Sequence, residues 1–211
     1  MKIIYLDVVD STQKYLKERL KNKEVVSPVA VVAHTQYAGQ GSRGNDWIGE
    51  EGNLFFSFSI PIKDLPDDLK LESSSIYFSY LLKQVLEDNG SKVWLKWPND
   101  FYIGDNKIGG TITNIVKDDL VCGIGLNLCS APEGFSKLDV AISKENILNC
   151  YFNYLKKNIG WKHIFSKYKL EFDKSKNYFA HGVDKRVSLL NAILQDDGSI
   201  ISDGQRIFSL R

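Results

Sequence analysis

The sequence predicts an α+β fold: a mixed, mostly antiparallel sheet with packed helices, closed by a small C-terminal β unit. Three observations predict it. A β-branched run is followed by a short amphipathic helix near the start; residues 93–127 hold successive apolar runs broken by turns; and short alternating segments fill the end of the chain after a helical stretch. With 211 residues the chain buries a sizeable core, as a main domain over 1–172 and a small β unit over 173–211.

Taken in order, Ile3 to Val8 reads as a strand, and Ser11 to Leu20 as a helix whose Tyr15, Leu16 and Leu20 share a face. Between them D-S-T-Q forms a cap in which Asp10 or Ser11 accepts helix amides and Gln13 reaches back. Strands are expected at 29–35 and 54–60, and a helix over about 71–89 that stops at Asn89-Gly90. KVWLKW, FYI, KIGGTITNIV and LVCGIGLNL then read as antiparallel strands, punctuated by Pro98, G-D-N and Asp118-Asp119. From Ser143 the period becomes helical, with Ile147, Leu148, Tyr151 and Leu155 on one stripe and a second helix from Trp161 to Phe172. SKNYFAHGVDK is polar and turn-rich, and RVSLL, AILQ, SII and RIFSL after it are short strands.

Composition excludes several function classes. A net charge of +1 gives no global attraction to nucleic acid or anionic membrane, and no apolar run reaches spanning length. The N-terminus, interrupted by Asp7 and Asp10, is no secretory signal, so the expected location is the cytoplasm. Cys122, Cys129 and Cys150 are odd in number and lack C-x-x-C spacing, which predicts reduced, mostly buried thiols. His34, His163 and His181 are dispersed, so no structural metal is expected.

G-Q-G-S-R-G at 39–44 matches the G-x-G-x-x-G spacing of a dinucleotide-binding turn, which requires a strand before it and a helix after it. A strand precedes it, but NDWIGEEGN and a second strand follow. The glycines therefore belong to a long loop between strands, either a surface excursion or a lid over a ligand.

Four clusters can carry chemistry. Ser11 and Thr12 stand at a helix N-terminus, as caps or as ligand contacts. Gln36, ahead of the glycine loop, offers a donor and an acceptor to an amide or ureido group, or is an exposed loop residue. K-W-P-N-D at 96–100, with Lys107 in K-I-G-G, sets two lysines near a carboxylate, suited to phosphate charge or to solvated hairpin charges. In G-I-G-L-N, Gly123 and Gly125 leave vacancies on one side of a strand, with Asn127 at its end.

In this order and spacing, S-T-Q, Q-x-x-G-x-G-x-x-G-N-x-W, K-W-P-N-D with K-x-G-G, and G-x-G-x-N resemble the biotin protein ligases from residue 5 to about 130. The C-terminal β unit also looks like that family's SH3-like appendage, shortened. The resemblance implies a class II synthetase-like catalytic domain of the monofunctional kind, without the DNA-binding domain of repressor relatives. It implies formation of biotinyl-5′-AMP from biotin and ATP with Mg²⁺, then transfer to a lysine of a biotin carboxyl carrier protein, the acetyl-CoA carboxylase carrier subunit. No nucleic acid or membrane partner is implied, and the chain is expected to be a monomer or weak homodimer.

Carried over residue by residue, Ser11, Thr12 and Gln36 would hold the ureido ring, and Gln13, Gly39, Gln40, Gly41, Ser42, Gly123 and Gly125 would complete the biotin site. Lys107, which would touch both biotin and ATP, would bridge carboxylate and α-phosphate, with Asp100 and Lys96 as further catalytic groups. Asp100 would orient Mg²⁺ or the incoming lysine. Arg43, Gly44, Asn45, Trp47, Asn99 and Asn127 would contact ATP, with Trp47 stacked on adenine and Asn99 and Asn127 near the metal. One departure stands out: the family loop commonly reads G-R-G-R-x-G, and Gln40 and Ser42 replace its arginines. Neither supplies a charge-assisted bond to carboxylate or phosphate, so the adenylate should be held less tightly unless Arg43 substitutes. The rival readings are a lipoate protein ligase and an inactive biotin- or adenylate-binding module.

Overall fold

The computed structural model describes residues 1–41, 46–181 and 186–209. Strand β1 (Lys2–Val9) leads through helix α1 (Thr12–Lys21) to β2 (Val29–Gln40), then β3 (Asp46–Gly49) and β4 (Leu54–Pro61). Helix α2 (Ser74–Asp88) precedes the meander β5 (Trp94–Lys96), β6 (Asp100–Ile103), β7 (Asn106–Val116) and β8 (Asp119–Leu126). Helices α3 (Lys144–Lys156) and α4 (Trp161–Tyr168) follow. The chain continues with β9 (Phe179–His181), β10 (Arg186–Ser188), β11 (Ile193–Leu194), β12 (Ile200–Ser202) and β13 (Gln205–Ile207).

The main sheet runs β1-β2-β4-β8-β7-β6-β5, with β3 added on β2. Among the described residues its one parallel pair is β1 with β2, the pair that α1 connects, and its other pairings are antiparallel. Mixed and mostly antiparallel is therefore what the sequence predicts, because the meander from β5 to β8 allows only short turns.

The two faces of the sheet differ. On one, Leu16 and Leu20 of α1 pack on Val29, Val31, Val116 and Val121. On the other, Phe56 and Phe58 of β4 meet Phe78, Tyr151 and Phe152 in edge-on aromatic contacts. LFFSFSI in β4 thus splits by period 2: Phe56 and Phe58 enter the large core, while Ser57 and Ser59 face the side of α1, both fully buried. Helix α1 covers only part of its face. Beyond its N-terminus the sheet continues with Gly110, Gly123 and Gly125 in cross-strand register with one another or with Ser57.

Several expectations change. The start of the glycine segment is strand rather than loop: β2 runs on to Gln40 and pairs antiparallel with β3, while residues 42–45 lie outside the described ones. Gly39 and Gly49 make this hairpin feasible, since a Cβ on Gly39 would lie 2.5 Å from the Trp47 carbonyl and one on Gly49 would collide with the Gln36 carbonyl. Helix α2 begins at Ser74 after a 3-10 turn over Leu71–Ser73. In the stretch expected as turns, Phe179–His181 is a strand, formed because β10 supplies its partner edge. Of the three thiols only Cys122 is buried; Cys129 lies past the end of β8 and Cys150 on the outer face of α3, both exposed. Gln13 does not reach back as a cap. The cap is Ser11, which accepts from the Lys14 amide, while Gln13 turns to the sheet.

Candidate active site

A cleft opens where α1 ends over the sheet. It encloses about 480 Å³ of non-atom space, counting its open side. Its lining brings together Ser11, Thr12 and Gln13 from the start of α1, Gln36, Gln40 and Gly41 from β2 and its end, Trp47 from β3, and Asn99, Asp100 and Lys107 from the meander. Gly123 and Gly125 form the floor as expected of their spacing. A Cβ on Gly123 would lie 2.5 Å from Gln13 Oε1, and one on Gly125 would lie 2.7 Å from Trp47 Nε1.

A buried network holds the inner end. Gln36 Oε1 accepts from the Thr12 amide at 2.8 Å and the Thr12 hydroxyl at 3.1 Å, and Ser57 Oγ lies 2.9 Å from Thr12 Oγ1. Gln36 is thus a buried strand residue, 7% exposed, rather than a loop glutamine. The outer end is cationic. Asp100 binds Lys107 through Oδ1 at 2.6 Å and Lys96 through Oδ2 at 2.9 Å. These side chains are only 28%, 10% and 18% exposed for Lys107, Lys96 and Asp100, so they are not solvated hairpin charges. Burial alone would raise the Asp100 carboxyl, but the charges and hydrogen bonds of Lys107 and Lys96 overcome it and hold the group at about 2. The triad is one anion between two cations, and it leaves a net positive charge facing the cleft.

Trp47 closes the cleft from above. Its ring lies edge-on to Phe135 at 6.4 Å, with Lys107 Nζ 5.9 Å from the ring centroid. Asn99 lines the cleft and donates to the Thr111 carbonyl. Lys96, Gly39 and Asn127 are not in the lining: Lys96 backs Asp100, Gly39 backs the hairpin, and Asn127 donates to the Ser136 carbonyl at 3.1 Å. Ser42, Arg43, Gly44 and Asn45 lie outside the described residues. Sequence reasoning missed Ser57, Gly110, Thr111, Ile112 and Ile124 in the lining. Ser57 had a signal, a serine set between Phe56 and Phe58 in a strand of otherwise largely apolar residues.

The profile of the Biotin/lipoate A/B protein ligase family matches residues 5–127, a span that contains every lining residue. The chain belongs to this family. Within it, the chain is similar over nearly its whole length to a biotin acetyl coenzyme A carboxylase synthetase from Helicobacter pylori, solved with bound biotinylated ATP. The two are 40% identical with a TM-score of 0.94, over 98% of this chain and 99% of that one. The biotin protein ligase of Aquifex aeolicus, solved with biotin and ATP, is 26% identical with a TM-score of 0.71, over 100% and 98%. The bifunctional ligase/repressor BirA of Escherichia coli (strain K12) is 32% identical over 133 residues, 60% of this chain. That match spans only 40% of BirA. The family's shared fold, a mixed sheet with small C-terminal β sheets, is the one described above.

Proposed function

We propose that this protein activates biotin with ATP to biotinyl-5′-AMP and transfers the biotinyl group to a lysine of a biotin carboxyl carrier protein, the acetyl-CoA carboxylase subunit. The observation that carries the reading is the Lys96–Asp100–Lys107 cluster at the mouth of a glycine-floored, amide-lined cleft. The bound biotinylated ATP and the biotin and ATP of the two solved relatives support it.

In the first step a biotin carboxylate oxygen attacks the α-phosphorus of ATP, and pyrophosphate leaves with the electrons of the broken P–O bond. Both reactants are anions, so their approach needs a cation, and the pentavalent phosphorus concentrates more negative charge. Lys107 supplies that cation, and Asp100 holds its ammonium in place without burying it completely. In the second step a neutral carrier lysine attacks the acyl carbon, AMP departs, and the amine loses a proton. The glycine floor and Trp47 limit water at this carbon, which protects the mixed anhydride from hydrolysis.

Mg²⁺ does not find a ligand set among the described residues. No cluster of three His, Cys, Asp or Glu is present there, and both oxygens of Asp100, the cleft's carboxylate, are taken by lysines. Asn99, whose amide N–H goes to the Thr111 carbonyl, offers the cleft a single neutral amide oxygen, and Asn127 does not line the cleft. No step is routed through the metal.

Intact mass of a biotin carrier domain tests the reading, after incubation with this protein, ATP and magnesium, with biotin or lipoate in parallel. A gain of one biotinyl group, absent with lipoate, is expected, and Lys107→Ala should slow it by roughly 100-fold or more. A lipoyl gain instead, or none while a known ligase modifies the same carrier, would overturn it.

A further inference from the structure

Trp47 closes the cleft from above, yet little holds its ring. It stands on the four-residue strand β3, and its indole N–H has no acceptor among the described residues. Packing therefore decides where the ring lies, and Phe135 supplies it edge-on, at a centroid separation of 6.4 Å. Phe135 itself lies outside the lining.

Phe135 belongs to an excursion of the chain after β8 that returns to its own start. The Leu138 amide donates to the Asn127 carbonyl at 2.8 Å, and the Ser136 amide donates to the Lys107 carbonyl at 2.9 Å. The returning side is thus tied to the strand that carries Lys107. The outgoing side, 128–130, is held differently. The β4–β8 ladder ends at the pair of Leu54 with Leu126, and beyond it one side chain takes over. Asn53, fully buried, accepts at Oδ1 from the amides of Leu128, Cys129 and Ser130 at 2.9, 3.0 and 3.3 Å. Its Nδ2 donates to the Ser130 carbonyl at 3.0 Å. Backbone amides only donate and a carbonyl only accepts, so these partners fix which end of the Asn53 amide is which. Among the described residues, no hydrogen bond other than those of the Asn53 side chain joins 128–130 to the turn between β3 and β4. Gly52, at a φ of +89°, lets that turn come close: a Cβ there would lie 3.0 Å from the Cys129 Cβ.

Asn53 therefore stands where the turn after Trp47 meets the base of the excursion that carries Phe135. Pairing three buried amides would by itself stabilise the fold. Here the two pieces so joined meet again above the cleft, as Trp47 and Phe135.

We infer that Asn53 is a positioning residue: it seats the excursion on the turn so that Phe135 holds Trp47 over the cleft, and it thereby keeps water from the acyl phosphate between the two steps. The inference rests on the ligase reading. When the ring is not held, a water oxygen attacks the acyl carbon, the bond to the AMP oxygen breaks, and biotin and AMP leave as anions with two protons released. Biotin and ATP are then consumed without transfer.

The rate of AMP formation from biotin and ATP by the full chain, with magnesium and without carrier, tests this beside biotinyl transfer to a carrier domain read by intact mass. Asn53→Ala should raise carrier-free AMP formation about fivefold or more, and with it the AMP formed per biotinyl group transferred, while KM for biotin stays within about twofold. A purely structural loss would lower both rates together and leave their ratio unchanged. Asn53→Asp keeps an acceptor for the three amides and gives up the donation to the Ser130 carbonyl, so its rise should be smaller. Phe135→Ala should raise the ratio as well, and adding either Asn53 substitution to it should change the ratio by less than about twofold, because both residues act through one ring. If Asn53→Ala does not fold, Asn53→Asp with Phe135→Ala decides. Biotinyl transfer by the wild type, with the ratio unchanged in the Asn53 variants or with the Asn53 and Phe135 effects multiplying in the double variant, overturns the inference alone. No biotin-dependent AMP formation by the wild type overturns the ligase reading and this inference with it.

Discussion

Asp100 carries the sharpest electrostatic consequence at the scale of single residues. Its carboxylate is the partner of Lys96, whose side chain is only 10% exposed and whose ion pairing among the described residues is with Asp100 alone. Asp100→Asn leaves a nearly buried ammonium without an anion, which should cost about 3 kcal/mol at neutral pH. The sign with pH follows from the lowered carboxyl: folded at about 2 against 3.8 unfolded, the pair contributes fully above the unfolded value. That contribution, roughly 2 kcal/mol from the shift, is lost as pH falls through about 2. Urea midpoints should therefore differ widely between wild type and Asp100→Asn at pH 6 and converge below pH 3, and a constant gap across that range would contradict the pairing.

Among elements, the contact between α2 and the end of α4 encloses a second charge cluster, remote from the cleft lining. Lys83 Nζ lies 2.8 Å from Glu87 and 3.4 Å from Glu171, and it stands 5.0 Å over the Tyr80 ring. Burial pushes Glu171 up to about 7, with the Lys83 charge pulling the other way. A raised carboxyl binds its proton more tightly when folded. Its contribution is thus complete below the unfolded value of 4.5 and is lost as pH rises through about 7, a loss of about 3 kcal/mol. Melting temperature should fall between pH 5 and 8 in the wild type, and Glu171→Gln should flatten that slope; an unchanged slope would remove Glu171 from the account. Elements like α1 and the β5–β8 meander were legible in the sequence because period and turn residues agree there. The hairpin of β2 and β3 was not, since what allows it is the close approach of Gly39 and Gly49 to a facing backbone, a tertiary fact. β9 was hidden for a related reason: three residues in a polar surround become a strand only when β10 lies alongside. The candidate site was legible as far as its motifs reach, but Ser57 belongs to no motif and enters through sheet register.

At the scale of the whole molecule, the main sheet and the C-terminal strands share one core. Ala180, Leu189, Ala192 and Ile200 belong to the same buried cluster as Phe56, Tyr151 and Trp161. The two parts are also tied by hydrogen bonds from Trp97 Nε1 to the Gly198 carbonyl and from Trp161 Nε1 to the Asp196 carbonyl, each 2.8 Å. Trp97 is the residue after Lys96, and its backbone N–H donates to Ser175 Oγ at 3.0 Å. The turn that carries Lys96 and Asp100 is therefore braced from behind by the C-terminal part. A boundary near residue 172 falls inside the 3-10 turn Phe172–Asn177, whose Phe172 and Ser175 are themselves buried. We expect these parts to unfold together. Ile200→Ala, at a fully buried position, should lower stability by about 2–5 kcal/mol while tryptophan fluorescence and far-UV circular dichroism still report one coincident transition. Because Trp97 couples that core to the lysine turn, the same variant should also weaken the Lys96–Asp100–Lys107 geometry and reduce adenylation at temperatures where it remains folded. Two separate transitions, with the early one confined to the C-terminal strands and adenylation unaffected, would show that residues 173–211 are an independent appendage.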